Sequence, residues 1–399
     1  MVNPSSVRLP QIPAAEEHAP ILVEDKGIAR IVTLNRPWVL NCINLEMVRI
    51  LCNLYEQSEG DENVHFLVLK GNGRVFCAGG DLRMFYNAQK AAADDPSTTE
   101  VVYSKYWLDY HAATYKKPLI ALWTGLVMGG GAGLTVPGRF GVATEKTVFS
   151  MPEAALGLHT DCGSSFWLSR LPGHLGEYLA LTGSRLDGAE MLACGLATHF
   201  VPLERLPELE KQLYELSTGD LVAIENTLNE FSSPAATPGE KSILHRTDAI
   251  NKIFSKDSVE DILAALEAEF KESGEDWAKD LIKIFKRSSP MGLKVTLVSI
   301  REARNKTLRE CLRTEYRLTI NALCGTISKD LYEGIRAIVV EKDNTPKWNP
   351  PSLQEVTPED LQRVFQPFKE SLELQLPLKN PRWSGKFLQS WNCEGQAVH

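Results

Sequence analysis

Three short apolar runs, each closed by turn or charged residues, recur in the first half of the chain. They are "VHFLVLKG" (Val64–Gly71), "KKPLIALWTG" (Lys116–Gly125) and "RFGVATE" (Arg139–Glu145). Runs of this length bounded in this way read as buried strands. Between the first of them and the N-terminal region, "NLEMVRILCNLYEQ" from Asn44 carries Leu45, Val48, Leu51 and Leu54 at helical spacing. Earlier still, "ILVEDKGIARIVTLNRP" reads as two strands around a tight turn at Asp25-Lys26-Gly27. Strands alternating with helices over this length predict an α/β core in which helices cover a sheet.

The texture changes after "THFVPLERL". From Pro207 onward the patterns are almost all helical: "LPELEKQLYELS", "DSVEDILAALEAEF", "DWAKDLIKIFKRS", "PMGLKVTLVSIREARN" and "TLRECLRTEYRLTINALCG". "SSPAATPGE", Ser232–Glu240, has the composition of a linker within this stretch. The expected organisation is a tail over 1–19, an α/β core over 20–205, a helical region over 206–345 and a C-terminal extension over 346–399. That extension is rich in Pro and Trp and weakly patterned, which suits chain that lies along a surface or is partly disordered. At 399 residues and 43% hydrophobic content there is material for one large core and a second unit.

A formal net charge of -8 argues against a broad nucleic-acid footprint and makes an anionic ligand depend on a local basic pocket. No apolar run is long enough to span a membrane. The eight cysteines include no Cys-x-x-Cys pair and no zinc-like Cys/His cluster, so neither a metal nor a disulfide framework is expected, only reduced buried thiols. The first twenty residues lack the apolar core of a secretory signal and are too acidic for a good transit peptide, and "GQAVH" is not a peroxisomal address.

Two glycine-bearing segments follow expected strands: "GRVFCAGGDL", Gly73–Leu82, and "GLVMGGGAGL", Gly125–Leu134. The second runs into "GAGLTV", which reads as a helix start, where unpaired amides carry partial positive charge and suit an oxyanion. A glycine triplet is more often just a tight strand-to-helix turn, and neither segment is a dinucleotide or Walker loop. Two such loops, each after a parallel-type strand, could put two backbone amides on one oxygen. Close behind them, "MPEAALGLHTDCGSSFW" sets Glu153 and Asp161 among small and apolar residues. Read alone, Glu153 is a helix-start acid after Pro152 and Asp161 a turn or N-cap residue. Read with the glycine loops, they suit an acyl-transfer or enolate site.

Taken together, "LNRPWVLNCI", "RVFCAGGDLRMF", "GLVMGGGAGL" and "MPEAALGLHTDCG" resemble the crotonase (enoyl-CoA hydratase/isomerase) superfamily. "SPMGLKVTLVSIREAR", "ECLRTEYRL" and "LYEGIRAIVVEKDNTPKWNP" narrow the resemblance to its 3-hydroxyisobutyryl-CoA hydrolase branch, closest in style to plant members, over about residues 20–355. The resemblance implies a ClpP/crotonase-like spiral of ββα units with a helical C-terminal region, and a CoA-thioester site. It implies an oxyanion hole from the amides of Gly80 and Gly130, with Glu153 as nucleophile or general base. It also implies Asp161 holding the 3-hydroxyl and assisting the leaving thiolate.

Where hydratases carry a further glutamate this chain has Gly133, which argues against hydratase chemistry. Lys105 stands where animal relatives often carry an acid near the substrate, and is a candidate substrate contact. The implied reaction is hydrolysis of 3-hydroxyisobutyryl-CoA in valine catabolism, with no metal and no cofactor beyond the CoA of the substrate. The implied setting is mitochondrial, with peroxisome and cytosol open. The partner is a small acyl-CoA; no nucleic acid and no membrane are expected, and a homo-oligomer is compatible. Two alternatives stand: a hydrolase for another short acyl-CoA, and a relative recruited as a mitochondrial ribosome subunit. Arg36 is a candidate for CoA phosphates or for a solvated surface. Met128 and Phe85 read as packing residues, and His159 and His199 as structural.

Overall fold

The computed structural model describes residues 19–91, 96–233 and 237–377. Most of the expected 1–19 tail, the centre of the 232–240 linker, the extension beyond 377 and Cys393 lie outside them. Nine strands are present among the described residues: β1 (Ile21–Lys26), β2 (Ala29–Leu34), β3 (Phe66–Gly71), β4 (Leu119–Trp123), β5 (Leu126–Met128), β6 (Phe140–Ala143), β7 (Val148–Ser150), β8 (Leu186–Asp187) and β9 (His199–Phe200). The larger sheet has the order β1-β2-β3-β4-β6-β9, and the smaller one β5-β7-β8. All pairings in the larger sheet are parallel except β1–β2. β1 and β2 are the hairpin expected from the sequence, with Gly27 at φ +59 in the turn.

The chain climbs as a spiral. β4 adds to the large sheet, β5 to the small one, and the helix Gly130–Thr135 follows; β6 and β7 repeat the step before the turn at Glu153–Leu156. This is the ββα repeat that the resemblance implies. Side chains alternate along a strand, so β3, with its unbroken "FLVL", must bury both faces. Phe66 and Val68 face the helices Leu206–Tyr214 and Leu221–Phe231 through Leu209, Leu213, Ile224 and Leu228. Leu67 and Leu69 face the opposite way, into the larger cluster that holds the site. Truncating such a buried leucine to alanine costs about 2–5 kcal/mol.

The helical region is not a satellite. The larger cluster runs from Ile21 to Leu376 and includes Leu293, Leu297, Leu308 and Leu312. The helix Leu308–Cys324, started by a Thr307–Glu310 capping box, lies against the helix Pro96–Ala113. It thereby closes the site from one side. The segment from 346 to 377 is mostly exposed, yet it is not without regular structure. It forms the helix Pro358–Phe365 and buries Val356, Val364, Leu374 and Leu376. The helix has only eight residues, too few for an apolar period to register, although its Thr357–Asp360 capping box was there to be read.

Candidate functional site

The two glycine loops are laced together by backbone bonds. After β3 the chain turns and passes between residues 41–43 and β5. The amide of Ile43 donates to the Gly79 carbonyl at 2.8 Å, Asp81 N–H to Ile43 O at 2.9 Å, Cys77 N–H to Leu126 O at 2.9 Å, and Met128 N–H to Cys77 O at 3.0 Å. Asn41, fully buried, clamps the preceding turn: its Nδ2 donates to the Asn72 and Val75 carbonyls at 2.9 Å each, and its Oδ1 accepts from Arg36 N–H.

β5 delivers Gly129 at φ +47, and the helix Gly130–Thr135 begins. Side chains cannot fit where the loops touch: a Cβ on Gly131 would lie 2.6 Å from Cys77 Cβ. A Cβ on Gly130 would lie 3.7 Å from Gly80 N, which measures how near the two loops come. Among the described residues, the amides of Gly80 and Gly130 have no hydrogen-bond partner. Both line a cavity of about 120 Å³, together with Glu153, Asp161, Lys105 and Tyr106. Phe85 and Met128 form part of its wall, as expected of packing residues.

Glu153 opens the 3₁₀ turn after Pro152 and is 6% exposed. Its Oε2 is buried with no hydrogen-bond partner among the described residues. Its Oε1 lies 3.0 Å from where a Cβ on Gly129 would stand, so the carboxylate reaches back to the triplet. Burial first, and the neighbouring Asp161 second, push this carboxyl well above the ordinary glutamate range. Asp161 stands across the cavity, on a turn in which Cys162 has φ +60. Its Oδ2 is hydrogen-bonded to the Tyr106 hydroxyl at 2.6 Å, Tyr106 to Thr319 Oγ1 at 2.7 Å, and Thr319 to His159 Nε2 at 3.0 Å.

A third buried acid holds that turn from behind. Glu315, fully buried on the helix Leu308–Cys324, accepts from Gly163 N–H at 2.5 Å, Ser165 N–H at 2.9 Å and Ser165 O–H at 2.5 Å. It caps the short helix Ser164–Leu168 from outside, and burial lifts it to about 8 despite these bonds. Lys105 also lines the cavity, but its ammonium is bonded to buried Asp109. Burial works against the Lys105 charge; Asp109, Cys162 and Asp161 outweigh it, and the ammonium is held above its usual range. At Gly133, a Cβ would stand 2.4 Å from Cys162 Cβ, so the side chain of Cys162 fills the place of any larger residue there.

The structure thus brings together Gly80, Gly130, Glu153, Asp161 and Lys105. Arg36 instead pairs with Asp81 at 3.1 Å beside the loop. His199 sits in β9 against Thr198. His159 is buried, as a structural histidine would be, yet it ends the hydrogen-bonded chain from Asp161. Tyr106, Thr319 and Glu315 were not identified from sequence. Tyr106 adjoins Lys105, and Glu315 lies inside the quoted "ECLRTEYRL", but a tyrosine or glutamate at helical spacing carries no sign of a contact 55 to 213 residues away. Among the described residues no cluster of His, Cys, Asp and Glu suits a metal, no helix is long and apolar enough to cross a membrane, and the seven described cysteines are free.

A family model described as enoyl-CoA hydratase/isomerase matches residues 29–365. The chain is 50% identical to 3-hydroxyisobutyryl-CoA hydrolase-like protein 5 of Arabidopsis thaliana, over 92% of this chain and 94% of that one. It is 40% identical to the mitochondrial 3-hydroxyisobutyryl-CoA hydrolase of Rattus norvegicus, over 88% and 89%. It is also 42% identical to a small ribosomal subunit protein of Arabidopsis thaliana, over 90% and 88%. Among solved structures, a carnitinyl-CoA dehydratase from Mycobacterium thermoresistibile superposes with a TM-score of 0.81 at 33% identity, covering 90% of this chain and all of that one. The crotonase fold expected from the sequence is the one found, and the chain belongs to the enoyl-CoA hydratase/isomerase family, on the branch of the 3-hydroxyisobutyryl-CoA hydrolases and their hydrolase-like relatives.

Proposed function

We propose that this chain hydrolyses 3-hydroxyisobutyryl-CoA to 3-hydroxyisobutyrate and CoA. The observation that carries the reading is a buried glutamate, Glu153, with an unpartnered oxygen in the same cavity as two unpartnered amides, those of Gly80 and Gly130. A native fold satisfies most of its buried polar groups, and what distinguishes this orphan oxygen is that it shares a cavity with two orphan amides. The thioester carbonyl oxygen accepts from both amides. As negative charge builds on it in the tetrahedral transition state, the fixed donors stabilise it without reorganising, each contributing about 10²–10³ in rate.

Glu153 attacks the carbonyl carbon or takes a proton from the water that does; its raised proton affinity makes it the stronger base once ionised. Asp161 holds the 3-hydroxyl and protonates the departing sulfur. Gly133 and the Cys162 side chain packed against it leave no place for the second glutamate of hydratase chemistry. The reaction needs no metal or redox group, and CoA enters with the substrate. The names of the hydrolase relatives support this substrate, and the rat relative's name supports a mitochondrial setting.

The 42% identity to a small ribosomal subunit protein favours a second reading, in which the fold serves as an assembly part. Thiol release from 3-hydroxyisobutyryl-CoA, run beside 3-hydroxypropionyl-CoA and crotonyl-CoA, tests the first reading. Release from the first substrate with no hydration of the third is expected. A folded protein that releases thiol from none of them overturns the hydrolase, and co-sedimentation with ribosomal particles then tests the second reading.

A further inference from the structure

We propose that Cys162 is a covalent trap for 2-enoyl-CoA thioesters: its thiol adds to the third carbon of an acyl group seated in the hydrolytic cavity. This rests on the thioesterase reading above and names a second class of ligand for the same site. Hydrolysis as described has no task for a thiol, yet one stands beside the reacting carbonyl. A Cβ on Gly130 would lie 3.7 Å from Cys162 Sγ, the same distance as from Gly80 N. The sulfur and the two unpartnered amides thus bound one small space. Cys162 is 5% exposed and lines the cavity together with Glu153, whose buried Oε2 has no partner among the described residues. The thiol therefore faces a cavity whose polar groups await a ligand.

Connectivity places the acyl carbons. The thioester oxygen takes the amides of Gly80 and Gly130, and the third carbon is two bonds beyond the carbonyl carbon. In the hydrolytic substrate that carbon bears the hydroxyl held by Asp161. Asp161 and Cys162 are consecutive, and both line the cavity. Cys162 has φ +60, a conformation uncommon for a cysteine, and such strain gathers at functional sites. The turn cannot drift, because Glu315 accepts from the amides of Gly163 and Ser165 immediately after it. The sulfur is thereby held where the third carbon arrives.

Without a ligand the thiol is inert. Burial first and Asp161 second keep it protonated far above the usual thiol range, with Lys105 working the other way. A general alkylating reagent finds little thiolate there. A seated enoyl thioester differs in two respects. It is held against the sulfur at an effective concentration that no dissolved reagent reaches. Its carbonyl oxygen, which takes up the electrons of the addition, lies between two fixed donors.

The steps balance with no further reactant. The S–H bond breaks, its proton goes to Glu153, and the sulfur electron pair forms the bond to C3. The C2–C3 π pair moves between C1 and C2, and the carbonyl π pair moves to oxygen, giving an enolate held by Gly80 and Gly130. Glu153 returns the proton to C2 as the carbonyl re-forms. The product is a saturated acyl-CoA joined to Cys162 through a thioether. Hydrolysis of its thioester by the ordinary route releases CoA and leaves the acid on the sulfur. A saturated 3-hydroxyacyl group has no double bond to attack and is hydrolysed instead.

Crotonyl-CoA incubated with the full chain, followed by intact mass and peptide mapping, tests this. One adduct per chain is expected, on Cys162, with the added mass of crotonyl-CoA or, after thioester hydrolysis, of crotonic acid, and stable to hydroxylamine. Exposed Cys324 is the internal reference. Crotonyl-CoA is expected to label Cys162 at least about 10²-fold faster than Cys324, and iodoacetamide to prefer Cys324. Gly130→Ala, whose methyl projects between the two donors, is expected to slow the adduct by about 10²–10³. No adduct, an adduct that favours the exposed cysteine, or a hydroxylamine-labile acyl group from attack at the carbonyl carbon overturns the proposal. An adduct on Cys162 in a chain that releases no thiol from 3-hydroxyisobutyryl-CoA upholds the trap and fails the hydrolase. Thiol release with an unlabelled Cys162 does the reverse.

Discussion

Two buried glutamates face one another across the Asp161 turn and are treated in opposite ways. Glu315 gives both its oxygens to the backbone and hydroxyl of residues 163–165, and Glu153 leaves Oε2 with nothing among the described residues. Burial pushes both carboxyls up. The first has its desolvation offset by bonds that fix a turn, so it serves the fold. The second is offset only by a backbone hydrogen bond within its own residue and leaves Oε2 bare, so the fold carries it at a loss, and the compensation lies in chemistry. Burial and a raised proton affinity alone do not separate the two. The partner count does.

Beside the loss of Glu153 itself, the largest effect expected is at the amides that it faces. A methyl on Gly130 would stand 3.5 Å or more from Lys105, Cys162 and Gly80 N, so Gly130→Ala folds, but the methyl projects between the two donors. Thiol release is expected to fall by about 10²–10³, the value of a lost oxyanion donor, with the melting temperature little changed. Glu315→Ala probes the other side: three donors lose their acceptor and a buried volume opens. A loss of about 3 kcal/mol in stability is expected from denaturant midpoints. Gly133→Ala forces a Cβ to within 2.4 Å of Cys162 Cβ and 2.5 Å of its carbonyl oxygen, and about 1–3 kcal/mol is expected to be lost.

The smallest effect is pH-dependent. The folded Glu153 carboxyl binds its proton more tightly than the unfolded one, so its contribution to stability is complete below the unfolded value. It is lost as pH rises through the folded one. The melting temperature of Glu153→Gln relative to wild type is therefore expected to rise with pH. Glu315 titrates in both proteins and cancels in that difference.

Much of this was legible before the fold was known, and the reason differs by element. β3, β4 and β6 are continuous apolar runs because both faces are buried, and such runs announce themselves. The small sheet did not: β5, β7 and β8 have two or three residues each, below any periodicity. Glu153, Asp161 and the glycine loops were legible because they sit in local, unusual patterns. Tyr106, Thr319 and Glu315 were not, because each lies in an ordinary helical stretch and gains its meaning from a partner far away in sequence. The helix Pro358–Phe365 escaped for want of length.

The central claim is that one buried glutamate works and the other holds. Turnover of 3-hydroxyisobutyryl-CoA and the unfolding midpoint, measured together on Glu153→Gln and Glu315→Gln, test it most directly. The account predicts that Glu153→Gln loses about 10²–10⁴ in thiol release while its midpoint stays or rises. It predicts that Glu315→Gln loses stability. A Glu153→Gln protein that unfolds more easily than wild type and still turns over contradicts the account.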